Sequence, residues 1–544
     1  MLVNFETIKH IWPEVVLVIL ATWTYVGGAF RSERLWWAMF SLAGYILAGA
    51  VMYQNESPLW RDAALGSSMV SGPIVIDYLG YLLRWAAILV GILFTLVASG
   101  NVRRELSGEY FGTLMLLIVG IMLVSRANDL VLLFVSLELI SIPTYVLLYL
   151  GRRDRATAEA TAKYFFLSIF SSAILLYGIS FVYGVTGTTV LTVPGSMPAA
   201  GEAAGTPDQL GIASMLANLA SSRTSPALLQ VATVLVAAGL GFKIAAVPFH
   251  FYAPDVFQGA TNGNAGVLAV APKLGGLAAL IRLMVVAMPD SSHLAWQLLF
   301  VMAIATMTLG NICALWQKNI RRLLAFSSIA HAGYMLIGVT VAVGTRGAEA
   351  GGVSSAVLYV LLYTVASAGI FAALAYAGSS QREVNSLEDL AGLSTRQPLT
   401  AAVLAICLFS LAGIPPLAGF WGKLTLFSGA IHAASARSLV TAGPNAGVWM
   451  TALAVVGAVN AAIASAYYLR VVAVMYFGTT VGDRRGEGGW GARVAMSLAA
   501  ALVILLGVFP GSVLNPTRRA EQILFRPPVS STLPASNLAA LRAE

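Results

Sequence analysis

Charge is what this 544-residue sequence has least of: Asp, Glu, Lys and Arg make up 10% of it, against 58% hydrophobic residues. Soluble globular domains carry about 25% charged residues, so a water-soluble fold is excluded and a polytopic membrane protein is indicated. Cysteine is nearly absent. The two present, Cys313 and Cys407, lie inside apolar runs and no CxxC occurs, which gives no basis for an iron–sulfur centre, a zinc site or a disulfide framework. No GxGxxG follows a strand pattern, so no nucleotide site is visible and no cofactor is expected on this chain. The first apolar run carries Glu14 and lacks a small-residue cleavage site, which argues against a removed signal peptide. The net charge of +8 is not a nucleic-acid footprint, because the basic residues sit in short turns between apolar runs, where membrane topology accounts for them.

What the sequence has in quantity is long apolar runs. A span needs about 20 such residues, and fourteen runs qualify: 11–30, 35–53, 74–98, 109–125, 129–150, 160–186, 228–250, 262–288, 295–316, 321–343, 353–378, 399–432, 448–477 and 491–510. The expected fold is all-α and polytopic, with about fourteen transmembrane helices. Residues 187–227, rich in Gly, Ala, Ser, Thr and Pro, read as a long extramembrane loop. Pro248 interrupts the seventh run, with Pro254 following six residues later, and Pro415-Pro416 interrupts the twelfth. Spans 4–8 and 9–13 then form two blocks of five, each with a broken helix at the corresponding place, the pattern of an inverted repeat. The expected division is 1–108 (helices 1–3), 109–288 (first repeat), 289–477 (second repeat) and 478–544 (helix 14 and tail).

Loop charges orient the bundle. Alternate links hold fourteen basic residues: Arg31, Arg34, Arg103, Arg104, Arg152, Arg153, Arg155, Lys318, Arg321, Arg322, Arg382, Arg396, Arg484 and Arg485. The opposite links hold five: Arg61, Arg126, Arg223, Arg346 and Arg437. The positive-inside rule puts both termini on the outer side. The tail arginines Arg518, Arg519 and Arg526 run against it, on weaker evidence than six concordant links.

A few ionisable residues lie deep in the runs, where a lysine costs about 2.5–3.5 kcal/mol on translocon scales. Glu138 lies about nine residues into the fifth run, with Ser141 and Tyr145 on its own face at i+3 and i+7. A lone carboxylate there is neutralised unless a cation sits close, and Lys243 is the candidate partner. Pro143 and Pro248 each follow their ionisable residue by five. A static ion pair joining two helices is the plainer reading, but buried pairs are seldom net stabilising. Lys273 has no carboxylate in its own span, and burial that disfavours its charge brings proton exchange within reach of neutral pH. Lys423 follows the Pro415-Pro416 break, where the freed carbonyls of Leu411 and Ala412 are available to a cation; snorkelling is the alternative. His331, with Ser327 at i−4 and Tyr334 at i+3, is either a proton relay or a packed imidazole. His250, at a helix end, is a possible relay, though capping is the commoner role. Asp255 reads as structural, closing the turn before helix 8, and Arg126 and Asp129 read as interfacial.

The segments SLELISIPTYVLLYL (136–150), KIAAVPFHFYAPDVFQGA (243–260), NIRRLLAFSSIAHAGYMLIG (319–338) and LAGIPPLAGFWGKLTLF (411–427) together resemble the antiporter-like membrane subunits of respiratory complex I, the proton-translocating NADH:quinone oxidoreductase. Lysine at 423, and a chain ending soon after span 14, resemble the N type of these subunits more than the L or M types. The resemblance implies Glu138 as the fifth-helix glutamate, Lys243 as the seventh-helix lysine, Lys273 as the connecting lysine and Lys423 as the terminal one. It also implies proton movement driven by quinone reduction elsewhere, with quinone, flavin and iron–sulfur clusters in partner subunits. The partners are other membrane subunits, neighbouring antiporter-like ones above all, and the location is the bacterial inner membrane. A subunit of a multi-subunit sodium/proton antiporter is the alternative, and a purely structural scaffold the third.

Overall fold

The computed structural model describes residues 5–61, 69–192, 211–221, 227–288, 293–345, 351–378, 383–435, 445–479 and 488–525. The chain opens with α1 (Phe5–Gly28) and α2 (Arg34–Arg61), a short hairpin of β1 (Met69–Ser71) and β2 (Ile74–Ile76), and α3 (Tyr78–Asn101). Next come α4 (Ser107–Val124), α5 (Leu130–Gly151), α6 (Arg155–Thr186), α7 (Ile212–Ser221), α8 (Ala227–Ile244), α9 (Ala253–Gly259) and α10 (Asn262–Leu280). The remainder is α11 (His293–Leu315), α12 (Ile320–Gly344), α13 (Gly352–Ala377), α14 (Leu393–Arg396), α15 (Pro398–Ala412), α16 (Ala418–Ser435), α17 (Ala446–Phe477), α18 (Gly489–Val508) and α19 (Gly511–Leu524).

Among the described residues thirteen helices are long and apolar enough to cross a membrane, and a fourteenth crossing arises if the bent pair containing Pro398–Ala412 is counted. The bend of that pair lies just before α15, ahead of the twelfth predicted run, and the run itself is broken between α15 and α16. At fifteen residues, α15 is about 22 Å long, short of a 30 Å hydrocarbon layer. The protein is therefore the polytopic helical bundle that the apolar runs predict. Its spans α10, α12 and α13 form the centre, with 94–100% of their apolar windows buried. Exposed Trp316, Phe477 and Trp490 mark one end of the bundle, and exposed Trp12 and Trp449 the other, as aromatic belts do.

Polar residues start the helices where the sequence supplies them. Asp77, Asp129, Asp154, Thr261 and Asn319 are N-caps whose side chains accept bonds from backbone amides of the first turn. Asp129, expected to be interfacial, caps the start of the α5 span. The third run begins later than predicted: Ile74–Ile76 is strand, and the span starts only after Asp77.

Several expectations need correction. The seventh run does not break at Pro248. The helix α8 ends at Ile244, where Ala245 takes φ of 60°. The Ala246 amide bonds the Gly241 carbonyl (2.8 Å) and the Ala245 amide that of Phe242 (3.0 Å), a Schellman cap formed without glycine. Pro254 starts α9 rather than interrupting a helix. The span containing Lys273 finishes in a π-helical stretch, Ile281–Ala287. The 187–227 link is not all loop: it contains α7, and its Thr192 is held by Asn128; residues 193–210 and 222–226 lie outside the described residues, as do Arg223, Arg346, Arg382, Arg437, Arg484, Arg485 and Arg526 of the charge tally. Arg126 is 1% exposed and ion-paired to Glu56 (2.8 Å), so it is no loop charge. Asp255 does not merely close a turn; it pairs with Lys163 (3.1 Å) and Arg322 (2.8 Å).

Candidate functional site: a file of buried lysines

The first group forms where α5, α6 and α8 meet. Lys243, in the last turn of α8, is 6% exposed, and its Nζ has three acceptors. It donates to Glu138 Oε1 (3.0 Å), Ser141 Oγ (2.8 Å) and Ser172 Oγ (2.9 Å). The Ser172 hydroxyl in turn donates to Glu138 Oε1 (2.5 Å). Three donors on an ammonium thus meet three oxygens. The position of Lys243 at a helix C-terminus adds the favourable end of the backbone dipole. The predicted Glu138–Lys243 pair is present, and Ser141 joins it as the i+3 spacing implies. Tyr145 makes no hydrogen bond to the pair among the described residues. Ser172 was missed in sequence; its signal is the cluster of serines 168, 171 and 172 on α6.

Lys273 lies on α10 and is 3% exposed. Gly275 and Gly276 follow it for a packing reason. A Cβ on Gly276 would meet Ile244 Cγ2 at 2.6 Å and Lys243 Cβ at 3.4 Å, and one on Gly275 would meet Ile140 Cδ1 at 2.3 Å. These glycines bring α10 against the helices carrying Glu138 and Lys243. Lys273 Nζ donates to Ser328 Oγ (2.5 Å), and Ser328 Oγ lies 2.8 Å from Tyr363 Oη. No hydrogen bond joins Lys243 directly to Lys273 among the described residues.

His331 comes next, one turn beyond Ser328 on α12 and packed on Tyr363 with ring centroids 4.9 Å apart. It is 2% exposed. Its Nδ1 lies 2.6 Å from Tyr359 Oη and its Nε2 2.8 Å from Tyr468 Oη; Tyr468 also bonds Ser327. The predicted polar face of α12 therefore exists, and the tyrosines that complete it come from α13 and α17. Lys423, on α16 just past the break, is 5% exposed, which excludes snorkelling. Its Nζ donates to the Ala412 carbonyl (2.8 Å) and stands 5.2 Å from the Tyr334 ring centroid, within cation–π range. His331, Tyr359, Tyr363 and Lys423 line one cavity of about 10 Å³, room for a single water.

His250 is half-buried in the turn between α8 and α9, and its side chain makes no hydrogen bond to the lysines among the described residues. Chemically, the arrangement is a file of amines, hydroxyls and one imidazole inside an apolar bundle. Each of these groups can hold or pass a proton. Among the described residues no group of His, Cys, Asp and Glu could hold a metal ion.

Comparison with known proteins agrees with this architecture. The family model described as the NADH:quinone oxidoreductase/Mrp antiporter transmembrane region matches residues 127–448. The chain is 35% identical over 535 residues to the NADH-quinone oxidoreductase subunit N of Trichlorobacter lovleyi, covering 96% of this chain and 98% of that one. It is 33% identical over 516 residues to the subunit N of Rhodospirillum rubrum, covering 94% and 96%. Among solved structures it is similar to a chain of respiratory complex I from Thermus thermophilus with bound aureothin, at TM-score 0.70 and 28% identity over 92% of this chain and 98% of that one. A chain of the Mrp complex from Dietzia sp. superposes at TM-score 0.75 with 22% identity, covering 96% and 98%, a likeness of fold alone.

Proposed function

The chain belongs to the NADH:quinone oxidoreductase/Mrp antiporter transmembrane family, and from that premise we propose that it is a proton-translocating membrane subunit, of the N type, in an NADH (or related donor):quinone oxidoreductase. The observation that carries this reading is the file itself: Lys243, Lys273 and Lys423, each at most 6% exposed, separated by hydroxyls and one imidazole. Redox chemistry, with its quinone, flavin and iron–sulfur clusters, belongs to partner subunits. This chain moves the proton.

Lys243 stores a proton while Glu138 stays beside it. Withdrawing that carboxylate leaves the ammonium without its counter-charge in a low-dielectric site, and the proton passes to Lys273, then by way of Ser328, Tyr363 and His331 toward Lys423. Water completes the steps that side chains do not span. His250, on the inner side of the α8 break, serves as an inlet relay, and Lys423 releases outward. Both termini lie outside in this reading; taking buried Arg126 out of the loop charges strengthens it. The two inverted repeats are residues 109–288 and 289–477, each contributing one broken helix and one lysine beside it. Glu138 has 23% of its side chain exposed on the α5–α6 flank. A carboxylate open at lipid depth calls for a neighbouring membrane subunit, and this is the route by which quinone reduction elsewhere reaches it.

The sodium/proton antiporter alternative shares the family model and the fold, but relatives over 30% identical along almost the whole chain are oxidoreductase N subunits. The experiment is replacement of Glu138 or Lys243 by Ala in the assembled complex. Proton pumping is expected to be abolished with assembly intact; loss of assembly instead supports a static pair that only joins helices.

A further inference from the structure

Six ionisable side chains lie at one end of the bundle, apart from the file of lysines. Three are carboxylates (Glu14, Glu56, Asp77) and three are arginines (Arg84, Arg126, Arg282), and none is more than 2% exposed. Each stands within about 9 Å of the end of its span, at the face carrying the N-terminus. Arg84 grips Glu14 through Nε (2.8 Å) and Nη2 (2.8 Å) and reaches Glu56 through Nη1 (2.6 Å). Arg126 shares the same Glu56 oxygen (2.8 Å) and donates to the His10 carbonyl (2.9 Å). Arg282, in the π-helical stretch after α10, holds both oxygens of Asp77 (2.5 and 2.7 Å) and donates to the Ser125 carbonyl (2.6 and 3.1 Å). A Cβ on Gly80 would lie 3.0 Å from both Arg126 Cγ and Asp77 Oδ1, so glycine there lets the two halves of the network close.

This network caps the first half of the bundle. Arg282 lies nine residues, about 13 Å, beyond Lys273 on one continuous helix. Residues 274–281 between them are all buried and carry no polar side chain. Ser125 and Arg126 lie just before α5, the helix that carries Glu138. Buried ion networks are poor glue compared with packed apolar residues, so six buried charges ask for a further role. An arginine keeps its proton in proteins and cannot hand it on. A carboxylate held by a guanidinium is not free to take a proton up, and fixed positive charge is a barrier to protons in membrane pores.

We propose that the three guanidiniums of this network, held in place by its carboxylates, form an electrostatic seal, which closes the first half of the bundle to the outer water so that protons held at Lys243 and Lys273 leave only by way of Lys423. The proposal rests on the proton-translocating reading, but its test does not require pumping. The intact complex is reconstituted in liposomes with no electron donor, a potassium diffusion potential is imposed, and passive proton entry is followed with a pH dye. Arg282→Lys keeps the charge and supplies an amine that can exchange protons. Asp77→Asn with Arg282→Met removes the barrier charge and retains an N-cap for α3. Glu56→Gln keeps every guanidinium and an oxygen for both. Proton conductance several-fold above wild type in the Arg282 variants, with Glu56→Gln as tight as wild type, is the expected result. Arg282 variants as tight as wild type, or a Glu56→Gln complex that leaks as much as they do, overturn the seal. Should the double variant not assemble, Arg282→Lys decides alone. Because there is no turnover in the assay, the answer is independent of whether Lys243→Ala stops pumping.

Discussion

At the scale of the residue, the ammonium of Lys243 is held by a carboxylate and two hydroxyls, and Ser172 is the one that touches both charged partners. Hydrogen bonds to charged groups contribute about 1.5–3 kcal/mol each. Ser172→Ala removes an acceptor from Lys243 and a donor from Glu138 together. It is expected to lower the number of protons pumped per quinone reduced, less severely than Lys243→Ala, with recovery in Ser172→Thr; dye-based pumping measured against quinone reduction reads this directly. A serine that only packs helices predicts an unchanged ratio. The Glu138–Lys243 pair was legible because an isolated charge in an apolar run needs a partner, and each of these two has a proline five residues on. Ser172, Tyr359 and Tyr468 were not. A hydroxyl in a membrane helix commonly satisfies itself on the carbonyl one turn back, as Thr144 does on Ile140, so its presence in sequence says nothing of a distant partner.

At the scale of the element, function gathers where helices are interrupted. Lys243 sits in the last turn of α8, and Lys423 follows the gap between α15 and α16. Prolines announced both breaks, but the first lies three residues earlier than Pro248 because the turn at Ala245 ends the helix. A left-handed alanine costs about 1–2 kcal/mol. Ala245→Gly is expected to relieve it and raise the thermal stability of the purified complex or subunit by about 1 kcal/mol, whereas Ala245→Val lowers it; a thermal-unfolding series distinguishes them. The arginines Arg84 and Arg282 went unread for a different reason: Arg282 falls within two turns of its run's end, where the sequence pattern is that of an interfacial charge, and Arg84 comes close to an end only because α3 starts at Tyr78, later than the run does. The amphipathic C-terminal helix α19 escaped as well. Its Glu521 caps the start of α13 through the amides of Val353 (3.0 Å) and Ser354 (3.2 Å), a long-range contact that no local periodicity encodes.

At the scale of the whole molecule, apolar runs predicted the number of crossings, since bilayer thickness alone sets their length. How the crossings pack was less legible, because helix contacts in lipid depend on small residues and shape rather than on hydrophobic pattern. The packing is what matters for function. Central α10 and α12 carry Lys273, Ser328 and His331, flanked by the pair on α5 and α8 at one side and Lys423 at the other, so the stations form a row within the membrane. Side-chain hydrogen bonds span parts of that row and leave a gap between Lys243 and Lys273, beside Gly275 and Gly276. The most direct measurement is a map of the assembled complex at a resolution that shows ordered waters. Waters bridging Lys243 to Lys273, and the His331–Tyr363 pair to Lys423, are what a proton file requires. Close-packed side chains with no water in either gap would contradict it.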